Sequence, residues 1–121
     1  MLMDSYAWIE FFRGSEKGEE VGSYFTNKEI FTSIFSEITE WCLKNDLNPE
    51  EYVSLIERYS QILELSKEVS ELAGKINFEH KKKIKSWGML DSFIYASALF
   101  YNLTVITGDK HFIGLKNVQM I

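Results

Sequence analysis

One cysteine, one proline and two histidines among 121 residues set the first limits. A lone thiol, Cys42, closes no intramolecular disulfide and builds no cysteine-cluster zinc site. Among apolar neighbours it is expected to be an inert core residue. With one proline, no glycine- or serine-rich stretch, no internal repeat and no disordered charged tail, nothing marks a linker, so residues 1–121 are expected to form one domain. Long hydrophobic runs are missing as well, and none approaches the ~20 residues that span a bilayer. The opening Met1-Leu2-Met3-Asp4 meets an acid at once, unlike a secretory signal, and a cytoplasmic protein is the expectation. Bases are also scarce, 13 against 18 acids, for a net charge of −5. That balance disfavours a nucleic-acid partner unless the acids surround cations and the bases cluster locally. One run, His80-Lys81-Lys82-Lys83-Ile84-Lys85, supplies such a cluster, and would equally suit the negative end of a helix dipole.

What the chain has is core material: 45% of its residues are hydrophobic and 15% aromatic. Periodicity divides it into short elements. Leu2-Met3 reads as a first strand, followed by a helix over 5–12 carrying Ala7, Trp8, Phe11 and Phe12 and ended by Arg13-Gly14-Ser15. A helix over 16–24 precedes a β-branched and aromatic strand over 30–33, and a helix over 36–44 turns Ile38, Trp41 and Cys42 inward. Asn48-Pro49-Glu50 starts a helix to about Tyr59, with Asn as cap and Pro in the first turn. Ile62 to Leu65 reads as a third strand. Ser66 caps a helix from Lys67 to His80 whose apolar set is Val69, Leu72, Ala73, Ile76 and Phe78. After a lysine-rich turn, apolar residues nearly encircle the stretch 89–101, Leu90 and Phe93 among them, as expected of a helix buried on more than one face. Strands over 103–106 and 118–121 complete the pattern. Strands alternating with helices predict an α/β three-layer sandwich around a mainly parallel sheet of about five short strands.

Parallel sheets place ligand sites just beyond the carboxyl ends of their strands. Here those positions hold acids. Asp4 follows the first strand, Glu37 opens the helix after the second, and Asp109 follows the strand over 103–106. Asp91 starts the long buried helix, where the Ser86-Trp87-Gly88 turn can carry it to the same edge. Each acid alone has an ordinary role as cap, dipole partner or turn residue. Gathered at one edge, they would repel one another unless a cation lay between them. Oxygen donors suit Mg²⁺ or Mn²⁺ better than structural zinc, and two such ions about 4 Å apart hydrolyse phosphodiesters.

The quoted segments also resemble a family. Met3-Asp4-Ser5-Tyr6-Ala7-Trp8-Ile9-Glu10-Phe11-Phe12 resembles the opening of PIN-domain proteins. Ile34-Phe35-Ser36-Glu37-Ile38 resembles their second acidic motif and Leu90-Asp91-Ser92-Phe93-Ile94-Tyr95-Ala96-Ser97-Ala98 the third. Leu103-Thr104-Val105-Ile106-Thr107-Gly108-Asp109-Lys110-His111-Phe112 resembles the closing hydroxyl-then-acid motif. The resemblance implies a VapC-type endoribonuclease dependent on Mg²⁺ or Mn²⁺, often a homodimer, and restrained by a cognate antitoxin. It assigns Asp4, Glu37, Asp91 and Asp109 to catalysis and metal binding, with Glu40 the alternative to Glu37, and matches Ser5 and Thr107 to supporting hydroxyls. Arg13, Lys81, Lys82, Lys83 and Lys85 are the candidates for RNA backbone contacts. His80 and His111 are expected at the surface, and Trp8, Trp41, Phe93 and Phe100 in the core or a dimer face rather than stacked on bases.

Two other functions compete. A phosphoacceptor signalling domain would need an Asp at the end of the third strand, where Leu65-Ser66 stands, and a Lys after the last strand. A PIN-like module that binds RNA or protein without cutting is disfavoured by the intact set of acids.

Overall fold

The computed structural model describes all 121 residues. Along the chain run β1 (Leu2–Met3), α1 (Ser5–Arg13), α2 (Glu16–Tyr24), β2 (Phe31–Thr32), α3 (Ser36–Lys44) and α4 (Pro49–Tyr59). They are followed by β3 (Gln61–Ile62), α5 (Lys67–His80), α6 (Met89–Phe100), β4 (Val105–Thr107), a single 3-10 turn (Lys110–Phe112) and β5 (Val118–Met120). The caps read from the sequence are made. Ser15 Oγ accepts from the Gly18 amide at 3.0 Å, Asn48 Oδ1 from Glu50 at 3.0 Å and Ser66 Oγ from Val69 at 3.2 Å. Such caps each stabilise a helix by about 1 kcal/mol. Gly14, at φ 65°, ends α1 in the left-handed conformation that glycine adopts without strain.

The five strands pair in the order β3-β2-β1-β4-β5 and every pair is parallel. Successive residues of a strand face opposite ways, and the core divides accordingly. Leu2 and Val105 join α5 and α6 through Val69, Ala73, Ile94 and Tyr95 on one face. Met3 and Ile106 join α1 to α4 through Trp8, Val21, Ile38, Cys42 and Ile56 on the other. The result is the expected three layers, with helices covering both faces of the sheet. α6 is buried on more than one side, as its composition requires, since every residue from Ile94 to Ala98 is buried.

Four local expectations need correction. The third strand is Gln61–Ile62 rather than 62–65, because its only neighbour, β2, is two residues long and offers a last bond from Leu63 N to Thr32 O. Leu65 is exposed instead. The fourth strand begins at Val105, since the Leu103 amide is spent on Ala98 O at the end of α6, and extends through Thr107, which pairs with Met120. Phe78, assigned to the α5 core set, is 67% exposed and lies beneath the Lys82 ammonium at 4.2 Å. Leu90 is likewise exposed.

Candidate metal centre at the carboxyl edge of the sheet

β1 is the strand from which the chain builds outward in both directions, through β2 and β3 on one side and β4 and β5 on the other. The connections leaving β1 and β4 therefore diverge, the arrangement that in open parallel sheets leaves a crevice beyond the carboxyl ends of the strands. Asp4 stands at the end of β1 and is 6% exposed. Its Oδ1 accepts from the Ser5 amide at 2.7 Å, and its Oδ2 accepts from Thr107 Oγ1 at 2.7 Å. The Thr107 oxygen in turn accepts from the Asp109 amide at 3.0 Å. Ser5 Oγ lies 3.3 Å from Asp4 Oδ1 and donates to Glu37 Oε2 at 2.7 Å. Ser5 thus links Asp4 to the Glu37 carboxylate, and Thr107 links it to the backbone of Asp109.

Asp91 and Asp109 meet through His111. Its Nδ1 is 3.3 Å from Asp91 Oδ2 and 3.6 Å from Asp109 Oδ1, and the three side chains present ligand atoms within 4.8 Å of one another. The ordinary roles of the acids are realised at the same time. Asp91 caps α6 by accepting from the Gly88 amide at 2.8 Å, and Asp109 caps the 3-10 turn by accepting from the His111 amide at 2.9 Å. Both use a single oxygen, as Glu37 does towards Ser5, so Asp91 Oδ1, Asp109 Oδ2 and Glu37 Oε1 receive no protein hydrogen bond.

The electrostatic cost is clearest at Asp4. Burial pushes the Asp4 carboxyl up to about 6. The Thr107 and Ser5 hydrogen bonds pull the other way, and the nearby Glu37 and Asp109 charges add to the rise. Desolvation wins, so Asp4 is uncomfortable as an anion with no positive charge beside it. A hard divalent cation relieves that, and the free carboxylate oxygens are the donors it favours. Asp91, Asp109 and His111 form a group whose donor atoms fit a divalent cation, with Asp4 and Glu37 outside that group.

The family model of the PIN domain matches residues 1–117. The chain belongs to the PIN domain family. A search of curated proteins finds no match. Among solved structures, this PIN domain is similar to a chain of a toxin–antitoxin complex from Klebsiella pneumoniae, with TM-score 0.79 and 21% identity over 98% of this chain and 95% of that one. It is also similar to a chain of VapBC2 from Rickettsia felis bound to a promoter DNA fragment, with TM-score 0.74 and 14% identity over 99% and 96%. A third is VapC20 from Mycobacterium tuberculosis, described as a toxin that cleaves the sarcin–ricin loop, with TM-score 0.72 and 12% identity over 92% and 91%. At these identities the shared property is the fold.

Within the PIN domain the residues singled out from the sequence fall into three groups. Asp4, Ser5, Glu37, Thr107 and Asp109 form one hydrogen-bonded set, and Asp91 reaches Asp109 by way of His111. Glu40 faces away and pairs with Lys44 at 2.7 Å. Arg13 is exposed and pairs with Glu10, while Lys81, Lys82, Lys83 and Lys85 are exposed in the turn after α5. The turn continues into Ser86, whose hydroxyl lies 2.8 Å from His111 Nε2.

Both histidines depart from the surface expectation. His111 is 28% exposed at its side chain and wedged between two carboxylates. The His80 ring packs against Trp87 with centroids 4.6 Å apart. Trp87 itself was legible only as a turn residue, yet it is buried and donates to Ser92 Oγ at 2.6 Å, which fastens the turn ahead of Asp91 to α6. A large aromatic in an otherwise polar turn was the available signal. No helix is long and apolar enough to cross a membrane.

Proposed function

We propose that this chain is a divalent-metal-dependent endoribonuclease that hydrolyses RNA phosphodiester bonds, and that it serves as the toxin of a toxin–antitoxin pair. The observation that carries the reading is the buried Asp4, raised to about 6 at the β1/β4 crevice and tied by hydroxyls to Glu37 and to the Asp109 turn. Asp4, Glu37, Asp91 and Asp109 would hold Mg²⁺ or Mn²⁺. A cation held there would supply the Lewis-acid chemistry that phosphodiester hydrolysis needs. Ser5 and Thr107 fix the orientation of the carboxylates, as outer hydrogen-bond partners of a metal site do. The lysine turn after α5, beside the crevice, holds the RNA backbone, while Arg13, partnered by Glu10, contributes less.

Residues 1–121 act as one nuclease domain, working in the cytoplasm as a homodimer and restrained by a cognate antitoxin. Support for the partner comes from the toxin–antitoxin complexes whose chains share the fold, and for the substrate from the one described as a loop-cleaving toxin.

The test is cleavage of a structured RNA by the purified chain with Mg²⁺, with Mn²⁺ and with chelator, beside Asp4→Asn and Asp91→Asn. Cleavage that needs the metal and is lost in both folded variants is the expected result. RNA binding without cleavage under all conditions would overturn the enzymatic reading in favour of a binding module.

A further inference from the structure

The acids of the crevice are joined by a side chain of different chemistry. His111 lies two residues beyond Asp109 and places an imidazole nitrogen where a cation bridging Asp91 and Asp109 would find it. We infer that His111 is a nitrogen ligand of the metal held by Asp91 and Asp109, and that it makes the site of this chain select Mn²⁺ over Mg²⁺. The inference rests on the reading above that these two carboxylates hold a divalent cation.

The geometry has three parts. The Asp91, Asp109 and His111 donor atoms lie within 4.8 Å of one another, close enough for one cation to take an atom from each. The backbone holds them there, since the Gly88 amide fixes Asp91 and the His111 amide fixes Asp109. Ser86 Oγ, finally, lies 2.8 Å from the far ring nitrogen, Nε2. Metal-bound imidazoles usually donate their other N–H to such a partner, which fixes the tautomer and ring orientation.

A hydroxyl is the partner this position needs, because it both donates and accepts. With Nδ1–H directed at Asp91, Ser86 donates to a bare Nε2. With Nδ1 bare towards a cation, the same hydroxyl accepts from Nε2–H. The ring can therefore pass from carboxylate partner to metal ligand without losing its outer hydrogen bond. A carboxylate or an ammonium at position 86 could serve only one of these arrangements.

Selectivity follows from the donor set. Mg²⁺ is small, keeps its waters and prefers oxygen, so an imidazole in its shell gains it little. Mn²⁺ accepts the same oxygens and, as a first-row transition ion, binds nitrogen more readily.

Mn²⁺ itself is the probe. Its electron spin-echo spectrum bound to the full-length chain labelled with ¹⁵N-histidine is expected to show coupling to one imidazole nitrogen, and His111→Asn is expected to abolish it. By calorimetry, His111→Asn should lower the preference for Mn²⁺ over Mg²⁺ by about tenfold or more, because an all-oxygen set remains. Ser86→Ala keeps the ring and should weaken Mn²⁺ by about tenfold, the lower end for an outer hydrogen-bond partner. Should His111→Asn fail to fold, the wild-type spectrum still decides. Mn²⁺ bound without nitrogen coupling would overturn this inference and leave the nuclease reading standing. Nitrogen coupling without RNA cleavage would do the reverse, and absence of any Mn²⁺ binding would overturn both.

Discussion

Thr107 donates its hydroxyl to Asp4 Oδ2 at 2.7 Å and accepts from the Asp109 amide at 3.0 Å, so one oxygen fastens the end of β1 to the turn beyond β4. Thr107→Val keeps the β-branched shape and removes both bonds. It leaves a buried carboxylate oxygen and a backbone amide short of a partner, which costs about 2 kcal/mol. The loss also takes away the hydrogen bond that holds the Asp4 carboxyl down, so the acid limb of the cleavage pH profile should move to higher pH. A variant with an unchanged melt and an unshifted limb would mean that Thr107 only fills space.

Asp4 gives the metal-free protein a specific pH dependence. Its carboxyl titrates at about 6 when folded, against an ordinary value of 3.8. Because the folded state binds this proton more tightly, the group contributes stability fully below about pH 4, and that contribution is lost as the pH rises through 6. The full swing is about 3 kcal/mol at 1.36 kcal/mol per unit. Denaturant melts in chelator should therefore show stability falling from pH 4 to 7, with Asp4→Asn lacking that part of the slope. The variant gains less than the full swing at pH 7, because an amide cannot accept from both Ser5 and Thr107. Added Mn²⁺ should restore stability to the wild type and not to the variant. Parallel pH slopes in the two proteins would contradict the assignment.

Gly108 sits against the Tyr6 ring so closely that a Cβ there would overlap it. Gly108→Ala should destabilise the fold by about 1–3 kcal/mol, as overpacking does, and displace the Thr107–Asp109 turn, with loss of cleavage. Tyr6→Ala in the same chain should recover part of both, with a coupling of about 1 kcal/mol in a double-mutant cycle. Tyr6→Phe should cost little, since it keeps the ring and gives up only the bond from Lys17 Nζ at 3.1 Å. Additive effects of the two alanine changes would show that the ring does not position the turn.

The lysine turn makes a prediction about binding rather than folding. Lys81 and Lys83 are exposed and form no ion pair, so Lys81→Gln with Lys83→Gln, which removes charge at the end of α5 without placing acids there, should melt within about 1 kcal/mol of wild type. RNA affinity should fall and the slope of log K against log salt should flatten by about two phosphate contacts. An unchanged slope would move the RNA path elsewhere.

Much of this architecture was legible because its signals are local. Asn48-Pro49, Ser15 and Ser66 announce helix starts by chemistry that acts within one turn, and the run Ile94 to Ala98 announces a helix covered on more than one side. Asp4 and Asp109 were legible because they follow strands, and Glu37 and Asp91 because they stand in the first turn of a helix. Strand limits were harder to read. Where β3 ends depends on the length of its neighbour, a property of another part of the chain. His111 escaped for the same reason: nothing beside it in sequence says that Asp91, 20 residues earlier, and Ser86 would stand on either side of its ring. That Glu37 and not Glu40 meets Ser5 likewise depends on a residue 32 positions away.

The pairing of β1 with β4 also sets a clock. Asp4 and Thr107 are 103 positions apart, so at ribosomal speeds the first waits about 5–20 s for the second to be made. During that interval Asp4 has neither the Thr107 hydroxyl nor the Asp109 turn, and no ordering of the early helices can supply them. The site around Asp4 is therefore among the last parts of the molecule to form.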